Sequence, residues 1–523
     1  MSQACGVGFA YRDGSDAGFY QLLESVGGGL ASFDFDRDGW QDLFFTGGGS
    51  LVKSEKLSVA GRASALFRNS HGGKFSDITH SAGLEADDLY THGCTVADLD
   101  ADGFDDLVVA GFGDLQVWQN RGDGSFAEVS ELLGIRHAGW NVTAAAGDYD
   151  RDGLVDLYLL TYADWQPDAE RRCFNDQKMR DICGPTLFPG SRDALFRNLG
   201  ERFEEVTERA RLVEQNRGLG VVAADLNQDD WLDFAVVNDV QENQLYLNDR
   251  VGSFEEKALL AGIAYSKTGE REGSMGIDAS DFDGDGLLDL WYTNYTQQDN
   301  SLLRNTERGG FVHSADLAGL GSTSRVWVGF GTGFADFNCD GWDDLYVING
   351  HVAYERRDSP YFQPSQLFES REGKRYVEVS DRGGPYFDVD RSGRGSAKTD
   401  FDNDGAWDLV ISHQNDPVAV LRNRHTAEFW IRLELIGVSS DRNAVGASAS
   451  VTVANRKVKK WKIGGGSYLS HADPRLLLIL DGGEPVEVTV SWPDGASEKF
   501  PNLSANSTHA LVQGRGAFVA PGE

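Results

Sequence analysis

Positive charge is scarce: 48 lysines and arginines stand against 82 aspartates and glutamates in 523 residues, leaving a net charge of −34. A phosphate-backbone partner needs concentrated positive charge, so no nucleic-acid ligand is expected. No window holds about 18 consecutive apolar residues, so no membrane partner is expected either. The N-terminal MSQACGVGFAYRDGSDAG has neither the basic stretch nor the apolar run of a secretory signal, and the expected location is cytoplasmic. Cysteine, at five, is too sparse and too odd in number for a disulfide framework. Cys173 and Cys183 stand close enough to pair across a loop or to remain two free thiols, while Cys5, Cys94 and Cys339 have no evident partner. No CxxC or His-x-x-x-His spacing supports zinc. Proline is low at 12 and methionine at 3, whereas glycine reaches 63, a balance that predicts short strands, tight turns and an all-β class.

One pattern recurs seven times: FDFDRDGWQDLFF, ADLDADGFDDLVV, GDYDRDGLVDLYL, ADLNQDDWLDFAV, SDFDGDGLLDLWY, ADFNCDGWDDLYV and TDFDNDGAWDLVI. The copies start 50 to 77 residues apart, the size of a supersecondary block, and seven such blocks fit a seven-bladed β-propeller with calcium loops. Oxygen-bearing side chains fall at positions 1, 3, 5 and 9, with glycine usually at 6. With the carbonyl of position 7 they nearly complete the six to eight oxygens that calcium prefers.

In order, the candidate ligands are Asp34, Asp36, Asp38, Trp40 and Asp42; Asp98, Asp100, Asp102, Phe104 and Asp106; Asp148, Asp150, Asp152, Leu154 and Asp156; Asp225, Asn227, Asp229, Trp231 and Asp233. The last three copies offer Asp281, Asp283, Asp285, Leu287 and Asp289; Asp336, Asn338, Asp340, Trp342 and Asp344; Asp400, Asp402, Asp404, Ala406 and Asp408. The tryptophan, phenylalanine, leucine and alanine residues contribute carbonyls. An EF-hand would need glutamate at position 12, where Phe45, Val109, Leu159, Val236, Tyr292, Val347 and Ile411 stand instead, so each loop runs into a buried strand. Copies four and six have Asn227 and Asn338 at position 3, and copy four has Asp230 in place of glycine, so these two are expected to bind more weakly. Without the 26 loop carboxylates the net charge is −8, so the acidity is mostly structural.

Aromatic segments such as KFSDITHSAGL and SFAEVSELLGI precede the loops, and ALFRN, QVWQN, QLYLN and SLLRN follow them, giving about four strands per copy. GVGFAYRDGSDAG resembles the aromatic segment without a preceding loop and is expected to complete the blade begun by residues 398–423. The propeller is assigned to residues 1–424. Residues 425–523, with WIRLELIG, GASASVTVAN, EVTVSWPDG and turns at Gly464 to Gly466, read as a small C-terminal antiparallel β domain. Its basic RKVKKWK stretch at 456–462 reads as a solvated strand face, with contact to an anionic surface as the alternative.

The seven acidic loops resemble FG-GAP or VCBS repeats, the blades of integrin α-subunit propellers. RNAVGASASV, GGGSYLSH and VSWPDG look like the ASPIC/UnbV domain of cartilage acidic proteins. Animal members of that family are secreted matrix proteins, and bacterial UnbV-type members are encoded in enediyne gene clusters. The resemblance, together with the missing leader, implies the biosynthetic branch: structural Ca2+ at up to seven sites, no organic cofactor, and a small polycyclic substrate.

Propeller geometry places a second candidate site at the channel mouth opposite the loops. Tyr90, His92, His137, Trp140, Asn141, Arg217, Glu272, Arg325, Trp327 and Arg394 precede inner strands, and Asn294, Tyr295, Asn349, His351 and His413 follow second strands. Aromatic walls can hold a flat substrate, His92, His351, His413 or Glu272 can move protons, and Arg217, Arg325 or Arg394 can stabilise an oxyanion. Redox-neutral carbon–carbon bond formation by conjugate addition is the chemistry this expects. The alternatives are a non-catalytic adhesion or protein-interaction module and a product-binding self-resistance protein. Arg121-Gly122-Asp123 reads as an ordinary turn, and the glycosylation sequons at Asn141 and Asn294 matter only if the protein is secreted.

Overall fold

The computed structural model describes residues 2–307, 309–354 and 359–520. Seven antiparallel sheets follow one another along the chain, with inner strands Leu30–Phe33, Thr91–Ala97, Asn141–Gly147, Gly218–Ala224, Glu272–Ser280, Gly329–Ala335 and Gly393–Thr399. Each inner strand pairs across its acidic loop with a second strand that starts at position 9. Sheets 1 to 6 contribute four strands each and sheet 7 three, and sheets 4 and 5 are joined into one nine-stranded sheet because Asp233–Gln241 also pairs with Glu272–Ser280. Each inner strand lies beside the next, and Gly393–Thr399 lies beside Leu30–Phe33, so the fold is propeller-like and closed on itself. At the seam, Val418 N donates to Phe9 O (3.0 Å) and Asn415 N to Tyr11 O (3.0 Å), so the N-terminal segment lines the outside of sheet 7 as the sequence suggests.

Inner strands are buried almost throughout, which explains runs such as Ala144-Ala145-Ala146 and Gly329-Phe330-Gly331. Their glycines permit close approach: a Cβ on Gly276 would lie 2.2 Å from Phe330 O, and one on Gly93 would lie 2.3 Å from Val142 O.

The C-terminal region forms two four-stranded sheets around Ile431, Leu433, Val451, Leu478, Val490 and Phe500. One of its pairings, Trp430–Ile436 with Ser507–Val512, is parallel. The glycine turn at 464–466 is not a surface turn of this region. Residues 464–473 leave the sheets and fill the centre of the ring. Gly466 N donates to Val221 O (2.9 Å), Ile277 N to Ser467 O (3.1 Å), Cys94 N to Leu469 O (3.2 Å), Ser32 N to His471 O (2.9 Å) and Asp473 N to Lys398 O (3.1 Å). Thr332 N reaches Ser467 Oγ (3.3 Å). The inner edges of five sheets thus find backbone partners in this insert, and that of sheet 6 finds a serine hydroxyl. Gly464 is pressed against Ala146 O of the third sheet.

The basic strand Arg456–Trp461 is not solvated either. Arg456 stacks on Trp342 of loop 6 at 3.7 Å and Lys460 pairs with Asp343, so opposite charge docks this strand on the loop face. Cys173 and Cys183 form a disulfide.

Gly465 adopts φ +73°, and a Cβ there would lie 2.2 Å from Val221 O. Gly465→Ala is expected to destabilise by about 2–4 kcal/mol in denaturant unfolding, from strain plus displaced backbone pairing. An unchanged midpoint would contradict the inserted segment.

Candidate metal centres and the channel mouth

Each acidic loop is built by its own side chains. In loop 1, Asp34 accepts from Asp38 N (3.1 Å) and Gly39 N (2.8 Å), Asp38 accepts from Trp40 N (3.0 Å), and Asp42 accepts from Phe35 N (3.2 Å). The same bonds recur in loop 4, where Asp230 takes the glycine position at φ +68°, as the sequence requires. Position 4 is left-handed as well, at Arg37, Ala101, Arg151, Gln228, Cys339 and Asn403, a constraint the sequence hides because so many residue types meet it.

These turns gather carboxylates able to hold a metal ion: Asp34, Asp36 and Asp42; Asp98, Asp100 and Asp106; Asp148, Asp150 and Asp156; Asp281, Asp283 and Asp285; Asp400, Asp402 and Asp404, with oxygens within 4.8 Å of one another in each group. Among the described residues, loops 4 and 6 form no such group. There Asn227 and Asn338 turn their oxygens to Asp229 N (2.9 Å) and Asp340 N (3.0 Å). Buried Asp36 Oδ1, Asp98 Oδ1, Asp150 Oδ1, Asp402 Oδ1 and Asp408 Oδ2 have no hydrogen-bond partner. Such orphaned anionic oxygens fit a hard cation. Burial, reinforced by neighbouring carboxylates, pushes Asp34 and Asp98 up to about 7 and Asp106 and Asp289 up to about 8.

Two recurring groups support the loops and were not read from the sequence. Arginines from the third strands reach positions 3 and 5: Arg68 lies 2.6 Å from Asp36, and Arg197 lies 2.5 Å from Asp150 and 2.9 Å from Asp152. In six of the seven sheets an asparagine at or just past the end of the third strand donates its backbone N–H to the position 9 carboxylate, as Asn69 does to Asp42 at 2.7 Å. The signal was present in the repeated Arg-Asn of ALFRN and SLLRN, but its purpose depends on the neighbouring sheet.

At the channel mouth the structure joins some expected residues and separates others. Tyr90, His92 and Trp140 meet, with ring centroids 5.0 and 5.7 Å apart, and Leu22, Leu23 and Val26 share their buried cluster. His92 uses both nitrogens, with Val26 O at 3.1 Å and Trp140 Nε1 at 2.9 Å, and burial lowers it to about 3, so it is neutral. Arg394 donates to the carbonyls of Gly393 (2.8 Å), His351 (3.2 Å) and Ser25 (3.4 Å) and covers Phe330. His351 accepts from Ala353 N (2.8 Å) and meets the ring of Tyr295. His413 lies between Tyr386 Oη (2.9 Å) and Pro417 O (2.7 Å), and burial lowers it to about 4.

Elsewhere on this face, His137 pairs with Asn141 (2.8 Å), and Arg217 holds Phe188 O (2.7 Å). Asn294 and Asn349 tie down the carbonyls of Asp299 (2.7 Å) and Pro364 (2.8 Å), while Trp327 is half-buried. Glu272, pushed up to about 7 by burial, and Arg325 line a separate cavity of about 170 Å3. Two groups here went unread: half-buried Asp239, which accepts from Tyr162 Oη at 2.5 Å, and buried Glu24, pushed up to about 8 by burial. Their partners come from distant segments.

The raised loop carboxylates set a pH dependence. In chelator their folded pKa values lie above the ordinary 3.8, so the fold binds more protons than the unfolded chain, and stability is lost as pH rises through about 7 to 8. The lowered histidines act in the opposite sense below about pH 6.5. The melting temperature in EDTA is therefore expected to fall between about pH 6.5 and pH 8. A rise over that interval would contradict carboxylate crowding.

Comparison with known proteins places these features in a family. An FG-GAP-like repeat model matches residues 34–109, 98–159, 225–292 and 281–347, and an ASPIC and UnbV model matches 437–517. Cartilage acidic protein 1 of Mus musculus is 25% identical over 428 residues, covering 77% of this chain and 61% of that protein. The Homo sapiens protein is 24% identical, with 77% and 60% covered, so the chain spans about three fifths of these relatives' length. A solved Agrocybe aegerita lectin aligns with 76% of this chain and 95% of its own, at TM-score 0.36 and 15% identity. The chain belongs to the family of FG-GAP-repeat proteins that carry an ASPIC and UnbV domain, and it is homologous to cartilage acidic protein 1.

Proposed function

We propose that this chain is a calcium-clamped scaffold that works by presenting a rigid surface to a protein partner, not by catalysis at the channel mouth. One observation carries the reading: buried carboxylate oxygens without partners, gathered by left-handed turns into groups that a hard, oxygen-seeking cation would satisfy. Loops 1, 2, 3, 5 and 7 are the sites of choice for Ca2+, with loops 4 and 6 weaker.

The enzyme reading, acid–base chemistry on a polycyclic substrate in an enediyne-type pathway, needs histidines able to exchange protons and space for the substrate. His92 and His413 are neutral and fully engaged. The cavity beside Glu272, at about 170 Å3, is smaller than the ~300–1,000 Å3 usual for ligand pockets. The Cys173–Cys183 bridge favours an oxidising compartment over the cytoplasm.

The test is thermal unfolding of metal-stripped protein titrated with calcium or magnesium. Calcium is expected to raise the melting temperature well beyond magnesium, because irregular carboxylate and carbonyl sets suit the larger ion. Equal responses to the two ions, or none, would overturn the calcium assignment.

A further inference from the structure

In six of the seven sheets an asparagine at or just past the end of the third strand touches two loops, not one. Its backbone N–H holds the position 9 carboxylate of its own loop, at 2.8 Å from Asn120 to Asp106 and 2.7 Å from Asn198 to Asp156. Its Nδ2 donates to the position 8 carbonyl of that loop and to the position 2 carbonyl of the loop in the preceding sheet. Asn198 reaches Val155 O (3.0 Å) and Leu99 O (2.8 Å), and Asn69 reaches Gln41 O (3.1 Å) and, across the ring closure, Phe401 O (2.7 Å). Asn120, Asn248, Asn305 and Asn423 repeat this pattern.

Six junctions are bridged in this way, and the junction between sheets 5 and 6 is not. Ser370 stands at that position; it still donates its N–H to Asp344 (2.8 Å), but Tyr376 Oη donates to the carbonyl of Asp343 (3.2 Å), and among the described residues no asparagine reaches Phe282 O. A cleft of about 620 Å3 opens at this same junction, lined in part by Phe282, Leu317 and Trp342.

We propose that the six asparagines couple neighbouring cation loops, linking all seven into an open chain whose ends are loops 5 and 6. This rests on the calcium reading above. A cation in loop 3 holds Asp156, Asp156 holds Asn198, and Asn198 holds the carbonyl of Leu99, between Asp98 and Asp100 of loop 2. Ordering one loop therefore removes conformational freedom from the next before its own ion arrives, and by linkage the effect is reciprocal.

Calcium binding to metal-stripped protein, followed by equilibrium dialysis, tests this. Asn198→Ser places at one bridged junction the residue found naturally at the unbridged one. It is expected to weaken two loops, 2 and 3, by about tenfold each, the effect of one lost hydrogen bond to a fixed group. Weakening of one loop, or of none, would overturn the coupling. Ser370→Asn, which restores the missing bridge, is expected to steepen the isotherm and tighten binding at loops 5 and 6. If Asn198→Ser fails to fold, an unchanged isotherm for Ser370→Asn overturns the proposal by itself. Calcium bound at mutually independent loops in the wild-type protein refutes the coupling alone, whereas no calcium bound at all refutes the calcium reading with it.

Discussion

Crowded negative charge in a partly buried turn is the constraint on which the rest of the structure depends. Carboxylates at positions 1, 3, 5 and 9 repel one another where the left-handed residues bring them together, with the position 9 groups buried. Arginines such as Arg68 and Arg197 offset part of this charge but leave oxygens such as Asp36 Oδ1 and Asp150 Oδ1 without partners. The same position 9 aspartates start the second strands and anchor the third, so the electrostatics of the loops and the pairing of the sheets are one problem.

The ASPIC and UnbV region is part of that solution. Arg442 reaches Asp98 of loop 2, and buried Arg432 pairs with Asp400 of loop 7, so its cations neutralise the first ligand position of two loops. Removing one member of a buried pair leaves an uncompensated charge, so this docking and the state of the loops are linked. The segment around Tyr468 closes the channel from within, where Tyr468 lies edge-on to Phe330. A ring whose inner edges would otherwise face an axial void becomes a filled core.

The loops were legible in the sequence because each ligand is a separate side chain at a fixed offset, repeated seven times. Closure by the N-terminal segment was legible because Phe9 and Tyr11 copy the aromatic spacing of other sheets. The insert was not, since GGGSYLSH shows no strand periodicity and takes its partners from strands hundreds of residues earlier. Topology correctly gathered Tyr90, His92 and Trp140, but their burial depends on Leu22, Leu23 and Val26, which no local pattern assigns to that place. The basic strand at 456–462 looked solvated for the same reason: the acidic surface it meets lies more than a hundred residues away.

Anomalous diffraction from crystals grown in calcium tests the central claim most directly. The account predicts density peaks inside loops 1, 2, 3, 5 and 7, each bonded to the position 1 and 3 carboxylates, with weaker or absent peaks in loops 4 and 6. Ordered loops containing only water in saturating calcium would contradict it.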